Sequence, residues 1–434
     1  KVWTDPKTNA YTTAGFKPQG SQGGITSITT PNPYTVVLHF NKPYAPYLTI
    51  FGDILPAQYL QKNCPDKCLD GKINTFTAFN DKPFGTGPME VATWQHQNYV
   101  KLVKNPYYPK KGGWDGPAMR TSSIIYKDVP STNTQILQMR TGALQYVDFI
   151  AANSALYQQF ASVPGVTVSR TPGLEWEHLD FNLTNPLLSN LKIRQAILYG
   201  LNRQQMVQVT GGGKLFKVAN GDQPPFSWAY DPKLPVVTQN IKKADSLLDA
   251  AGWKMGSNGY RYKNGQELTI TCLTTSGNEL RAENQQIIQQ QMKKIGINWK
   301  TTYLPSTVLF SFNSNGPVFG SKPTFEVAEF AWVDSVDPDN SFIFSSKDFP
   351  PTGGNDMHWK NSIVDAAITN ELSTLNQAQR KADLIKVEEQ IAKDVPMIPL
   401  YYVDEIYATK NTLQGTSPSP LGYGMWNAQY WYLH

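Results

Sequence analysis

The feature that most constrains this chain is the stretch from Leu179 to Arg203, Leu-Asp-Phe-Asn-Leu-Thr-Asn-Pro-Leu-Leu-Ser-Asn-Leu-Lys-Ile-Arg-Gln-Ala-Ile-Leu-Tyr-Gly-Leu-Asn-Arg. It reads as a strand, a Pro turn and a capped helix. Asn185-Pro186 marks the turn. Ser189 or Asn190 can N-cap a helix whose Ile193, Ile197, Leu198 and Leu201 fall at helical spacing. Just before it the alternation slips: Leu174 and Trp176 share one parity, Leu179, Phe181 and Leu183 the other. A one-residue slip turns later side chains to the opposite face. A strand of that kind suits a passage from one packed body into another.

Bulk properties limit the remaining choices. At 434 residues, two or three domains are expected. The charged fraction is 17% and the aromatic fraction 12%, with a net charge of +5 and no Lys/Arg cluster of the kind nucleic-acid binding needs. No apolar run approaches the roughly 18–20 residues of a membrane helix. Of the three cysteines, Cys64 and Cys68 flank a Pro-Asp turn and can close a local disulfide, while Cys272 lies in a strand-like run. Zinc would need two further ligands near the pair, and none is there.

Tyr34 to Phe40 reads as a strand, Ala45 to Ile54 as a short helix, and Phe84-Gly-Thr-Gly-Pro as a tight turn feeding a strand. Helices are expected over 131–141, 241–251 and 279–294, then 362–372 and 377–393. An Asn264-Gly265 hairpin and an apolar, Pro-interrupted segment at 396–402 complete the pattern. The alternation from 181 to 399 argues an α/β body. Crossings near 176–183 and 397–404 divide the chain into two lobes.

No catalytic constellation is visible. The five histidines are scattered, Gly211-Gly-Gly-Lys214 lacks the remainder of a phosphate loop, and neither GxSxG nor SxxK with its partners occurs. The sharpest cluster is Ala331-Trp-Val-Asp-Ser-Val-Asp-Pro-Asp-Asn340, which fails as a calcium loop because Pro338 interrupts it and no Glu closes it. Asp339 or Asn340 can cap a short helix at Phe342. Asp334 ends an apolar strand, where ligand crevices of α/β folds form.

Phe181-Asn182, Pro186, Ile193-Arg194-Gln195-Ala196 and Asn202-Arg203, with the Gly85-Thr-Gly-Pro88 turn, Asn105-Pro-Tyr-Tyr108 and Asp337-Pro-Asp-Asn340, resemble family 5 of the bacterial extracellular solute-binding proteins, the peptide/nickel receptors of ABC importers. Asn202 stands where the family more often has Asp. The resemblance runs from about residue 34 to the end. It implies a two-lobed, type II periplasmic-binding-protein-like α/β fold with mixed sheets and two interlobe crossings. Residues 1–83 would be the remainder of a small subdomain of lobe I, 84–178 lobe I, 179–399 lobe II, and 400–434 the return to lobe I. It also implies that on the order of a hundred further residues open a complete member.

The function implied is an extracytoplasmic receptor, not an enzyme, that traps an oligopeptide or dipeptide between closing lobes and works as a monomer with importer membrane subunits. It would use no cofactor and no metal, and no nucleic acid would be a partner. Asp334 holds the position of the family's ammonium-binding acid. Asn182 and one of Tyr401 and Tyr402 are further contact candidates by the resemblance. Trp332 suits either a core or a ligand-stacking role; Trp176 and His178 are candidates by position alone. An oligosaccharide is the alternative ligand, favoured by the aromatic content, with nickel chelates or haem disfavoured by the sparse histidines. A hydrolase, or an interaction protein on the same fold, is the alternative from another class.

Overall fold

The computed structural model describes residues 24–50, 54–109, 117–149, 153–419, 421 and 424–434. These divide into two compact units. One holds the described residues up to 149 together with 156–171 and 406–434; the other holds 153–155 and 172–405. Beyond residue 156 the chain passes between units at 171/172 and 405/406.

In the first unit β1 (Ile25–Asn32) pairs with β2 (Thr35–Phe40), and β3 (Met89–Gln95), β4 (Tyr99–Lys104) and β5 (Ser123–Lys127) form an antiparallel meander. The Asn105 amide fixes the turn into β3, donating to the carbonyls of Gly85 at 3.2 Å and Gly87 at 2.9 Å. Helix α1 (Thr132–Thr141) starts at Ser131, whose hydroxyl accepts from Thr134 N–H, and stops at Gly142 in the left-handed region. Its Ile136 and Met139 pack on Val147 of β6 (Tyr146–Phe149) and on Phe160. Cys64 and Cys68 form the disulfide, inside a small cluster with Leu60 and Phe79. Of the helix expected over 45–54, residues 51–53 lie outside the described residues, and the described part forms a 3-10 turn at Tyr47–Thr49.

The long strand β7 (Val166–Phe181) leads into the second unit. Helix α2 (Leu191–Gly200) is capped by Asn190 and α3 (Arg203–Thr210) by Asn202, whose side chain accepts from Gln205 N–H. The strands that follow are β8 (Phe216–Val218), β9 (Thr269–Thr275), β10 (Asn298–Leu304), β11 (Val327–Val333) and β12 (Met397–Lys410). Strand β9 runs parallel to β10 across the right length for a helical crossover, supplied by α4 (Glu279–Lys294). It is also parallel to β11, whereas β11 and β7 are antiparallel. The sheet is mixed. The expected hairpin forms at Asn264-Gly265, both at positive φ.

The parity slip in β7 is not a change of register. Residues 175–181 pair with 333–327 without interruption, and every side chain from Trp176 to Phe181 is buried. The strand is covered on both faces. Glu177, His178 and Asp180 are polar residues inside the core, and they broke the apolar pattern without breaking the strand. At Gly173 strand β12 comes so near that a Cβ would lie 2.7 Å from the Val403 carbonyl oxygen.

Candidate functional site in the second unit

Asp334 follows β11 directly, and its N–H donates to the Leu174 carbonyl at 3.0 Å, one step beyond the Val333–Glu175 pair. Strand alternation then sets Trp332 and Asp334 on the same face as Trp176 and His178. The Trp176 indole N–H donates to Asp334 Oδ1 at 3.0 Å. Asp334 Oδ2 is buried and meets no donor. Burial first, and then the neighbouring Asp222 charge, push the Asp334 carboxyl well above the usual range, while the indole bond pulls it back in part.

The loop after Asp334 is braced from outside. Asp337 takes both ends of the Arg380 guanidinium, at 2.6 and 2.8 Å, and Arg380 also grips Glu371 at 2.9 and 3.0 Å. Asp339 Oδ1 accepts from Ser341 N–H at 2.9 Å, capping the short helix Ser341–Phe344. Asn340 therefore remains available. Its amide donates to Asp222 Oδ2 at 3.2 Å.

Asp222 sits in a turn held by Glu388, whose Oε1 accepts the Asp222 N–H at 2.8 Å and the Gln223 N–H at 3.4 Å. Gly221 leaves the space that this carboxylate occupies. Glu388 is pushed well above its usual range, by burial first and then by the Asp222 charge. Asp222 Oδ1 and Asn340 Oδ1 are both buried without a donor. Neither Asp222, Glu388 nor Asp334 has a cationic partner among the described residues.

The candidates from sequence separate on this geometry. Tyr402 joins the Asp222 turn: its hydroxyl lies 2.9 Å from Asn220 Oδ1 and accepts from Gly221 N–H at 3.3 Å. Tyr401 points the other way, stacked on Phe216 at 4.8 Å, with its hydroxyl 2.5 Å from the Asn284 amide. Trp176 is fully enclosed and its N–H is spent on Asp334, so it acts through Asp334. Trp332 packs edge-on against Phe319, Phe330 and Phe342, and its indole nitrogen is buried without an acceptor. Asn182 shapes its own turn, donating to the Phe325 carbonyl at 2.9 Å and accepting from the Thr184 N–H and hydroxyl.

His178 lies 3.1 Å from Asp180 and is held down to about 4 by complete burial. Asp222 and Glu388 were not singled out from sequence. They lie far apart in the chain and carry no local motif.

The arginines of the central stretch are structural. Arg194 donates to carbonyls of Leu188, Ser189, Asp394 and Val395, and Arg203 to those of Ala219, Val237 and Pro399. Each is a buried fork held by main-chain carbonyls, although Arg203 Nε itself is buried without an acceptor.

Residues 1–351 match the model for bacterial extracellular solute-binding proteins, family 5. The chain belongs to that family, a class of binding receptors and not of enzymes. It is similar to the oligopeptide-binding protein AppA of Bacillus subtilis, 29% identical over 357 residues, which are 81% of this chain and 62% of that protein. The chain thus spans less than two thirds of that relative's length. It is similar also to the glutathione-binding protein GsiB of Salmonella typhi, 27% identical over 399 residues, 88% of this chain and 70% of the relative. Among solved structures, NikZ from Campylobacter jejuni in complex with Ni(L-His) superposes with a TM-score of 0.83 at 24% identity, covering 99% of this chain and 82% of that one. The fold is the two-lobed α/β fold of periplasmic binding proteins. Among the described residues no helix is long and apolar enough to cross a membrane.

Proposed function

We propose that this chain is the extracytoplasmic receptor of an ABC importer, acting as a monomer with the importer's membrane subunits, and that it takes a peptide by its free amino end. The observation that carries this reading is Asp334, an acid at a strand's carboxyl end with one oxygen held by Trp176 and the other buried without a donor. A buried carboxylate without a partner is costly, and so is a desolvated ammonium; together they compensate one another. The oligopeptides and glutathione named for the two relatives both carry such an ammonium. The rest of a peptide, lying extended, keeps its backbone hydrogen bonds by pairing with protein main chain and water.

Native mass spectrometry of the purified protein, followed by calorimetry with tetra-alanine and its N-acetylated form, tests this. Binding of the free form with strong loss on acetylation is expected. Equal affinity for the two would end the ammonium role and return weight to an uncharged ligand such as an oligosaccharide.

A further inference from the structure

The Asp334 site contains more unmatched acceptors than one carboxylate supplies. Asp334 Oδ2, Asp222 Oδ1 and Asn340 Oδ1 are all buried without a donor, and the latter two belong to residues only 1% and 3% exposed. Asp334 and Asn340 begin and end one braced loop, and the Asn340 amide ties that loop to Asp222 at 3.2 Å. This bond also fixes which end of the amide is free. Turned over, Asn340 would set its oxygen against the Asp222 carboxylate, so the nitrogen donates and Oδ1 is the unmatched atom. Glu388 holds the turn carrying Asp222 by accepting the main-chain N–H groups of Asp222 and Gln223, which keeps Asp222 in place. No side chain cation enters among the described residues.

We propose that Asp222 is a second carboxylate for the ligand's cation, and that the Asp334–Asp222–Asn340 group selects a primary ammonium over a secondary one. The inference rests on the peptide reading of Asp334 and sharpens it. A primary ammonium has three N–H donors, matching the three acceptors that lack one. A secondary ammonium, as in an N-methylated or proline-initiated peptide, has one donor fewer and leaves a buried acceptor unsatisfied. A free Trp332 indole N–H on the same strand face offers a donor for the carbonyl oxygen next to that ammonium.

The test is calorimetry with tetra-alanine bearing a free, an N-methylated or an N-acetylated terminus, on the wild type, Asp222→Asn and Glu388→Gln. In the wild type the N-methylated peptide is expected to bind roughly tenfold more weakly than the free one, and the acetylated peptide weaker still. Asp222→Asn should weaken the free peptide by about tenfold and close the gap between free and N-methylated forms. Glu388→Gln, which keeps an oxygen to accept the Asp222 and Gln223 N–H groups, should preserve that gap. If free and N-methylated forms bind the wild type equally while the acetylated form is weak, the inference fails and the Asp334 role survives. If Asp222→Asn leaves the gap intact, or Glu388→Gln abolishes it equally, Asp222 acts through the fold alone and the inference is overturned. If all three peptides bind alike, or none binds, both it and the peptide reading fall.

Discussion

Trp176 and Asp334 are 158 residues apart in the chain, yet the indole N–H of one meets the carboxylate of the other at 3.0 Å across the β7–β11 pair. That bond fixes the orientation of the acid, leaving Oδ2 as the oxygen without a donor. Asp334→Asn retains the shape and an acceptor for the indole but loses the charge. Peptide affinity is expected to fall by about 2–5 kcal/mol, the range for truncating one partner of a buried charge pair. Thermal stability should change little. Calorimetry and a melting curve on the same preparation decide it, and a large loss of stability with affinity preserved would assign Asp334 to the fold instead.

The raised Asp334 carboxyl gives this site a pH signature. Without ligand it takes up a proton above the ordinary carboxylate range, because burial and Asp222 oppose its charge. An ammonium binds the ionised form, so peptide affinity should rise with pH through that raised value. For an acid with the ordinary value, the loss would be confined to far more acidic solution. Affinity that is flat from pH 5 to pH 8 would contradict this.

A separate effect acts on stability through Glu329, buried beside Asn284 and Gln285 and pushed up to about 8 by burial and then by the Glu177 charge. A carboxyl raised in the folded state contributes stability below its unfolded value, near 4.5, and loses it as pH climbs towards 8. Urea midpoints of the wild type should therefore fall over that window by an amount worth a few kcal/mol. Glu329→Gln cannot ionise and should show a shallower fall. Parallel curves for the two proteins would refute the assignment.

Arg203 joins three carbonyls from separate parts of the second unit. Arg203→Met keeps much of the stem but leaves those oxygens without a donor, at about 1–3 kcal/mol for each that water cannot reach. A drop of about 3 kcal/mol or more in the free energy of unfolding is expected in denaturant titrations. A change below about 1 kcal/mol would mean that the carbonyls find other partners.

The disulfide gives the simplest test. Thiol titration of the denatured, unreduced protein should find Cys272 alone, and finding three thiols would be decisive against it. Because the loop is short, reduction should cost no more than about 2 kcal/mol, mostly around Leu60 and Phe79.

Local signals made much of this fold legible. Asn190, Asn202 and Asn240 cap helices where an oxygen-bearing side chain precedes an apolar period, and Asn264-Gly265 turns the hairpin because both residues tolerate positive φ. The acid at the end of β11 could be picked out for the same reason: it follows a visible strand. What stayed hidden depends on residues distant in sequence. Glu177 reads as a break in a strand until Arg281 arrives with bonds of 2.6 and 3.2 Å. Asp222 reads as an ordinary surface acid until Glu388, 166 positions later, is set against it. Periodicity reports how a segment presents its faces to water, and carries no information about which buried polar groups will satisfy one another.

The Arg194 and Arg203 forks have a further consequence, one of timing. Their acceptors include the carbonyls of Asp394, Val395 and Pro399, and the Phe181 N–H waits likewise for the Pro396 carbonyl. A chain made from its N-terminus must hold these donors without native partners while roughly two hundred residues follow, and closing so long a loop is entropically unfavourable. The strand and helices at 175–210 thus remain a half-built layer until the segment near residue 400 has been synthesised. During that interval the buried arginines must stay in water, which makes this part of the molecule the natural client of whatever keeps nascent chains from sticking to one another.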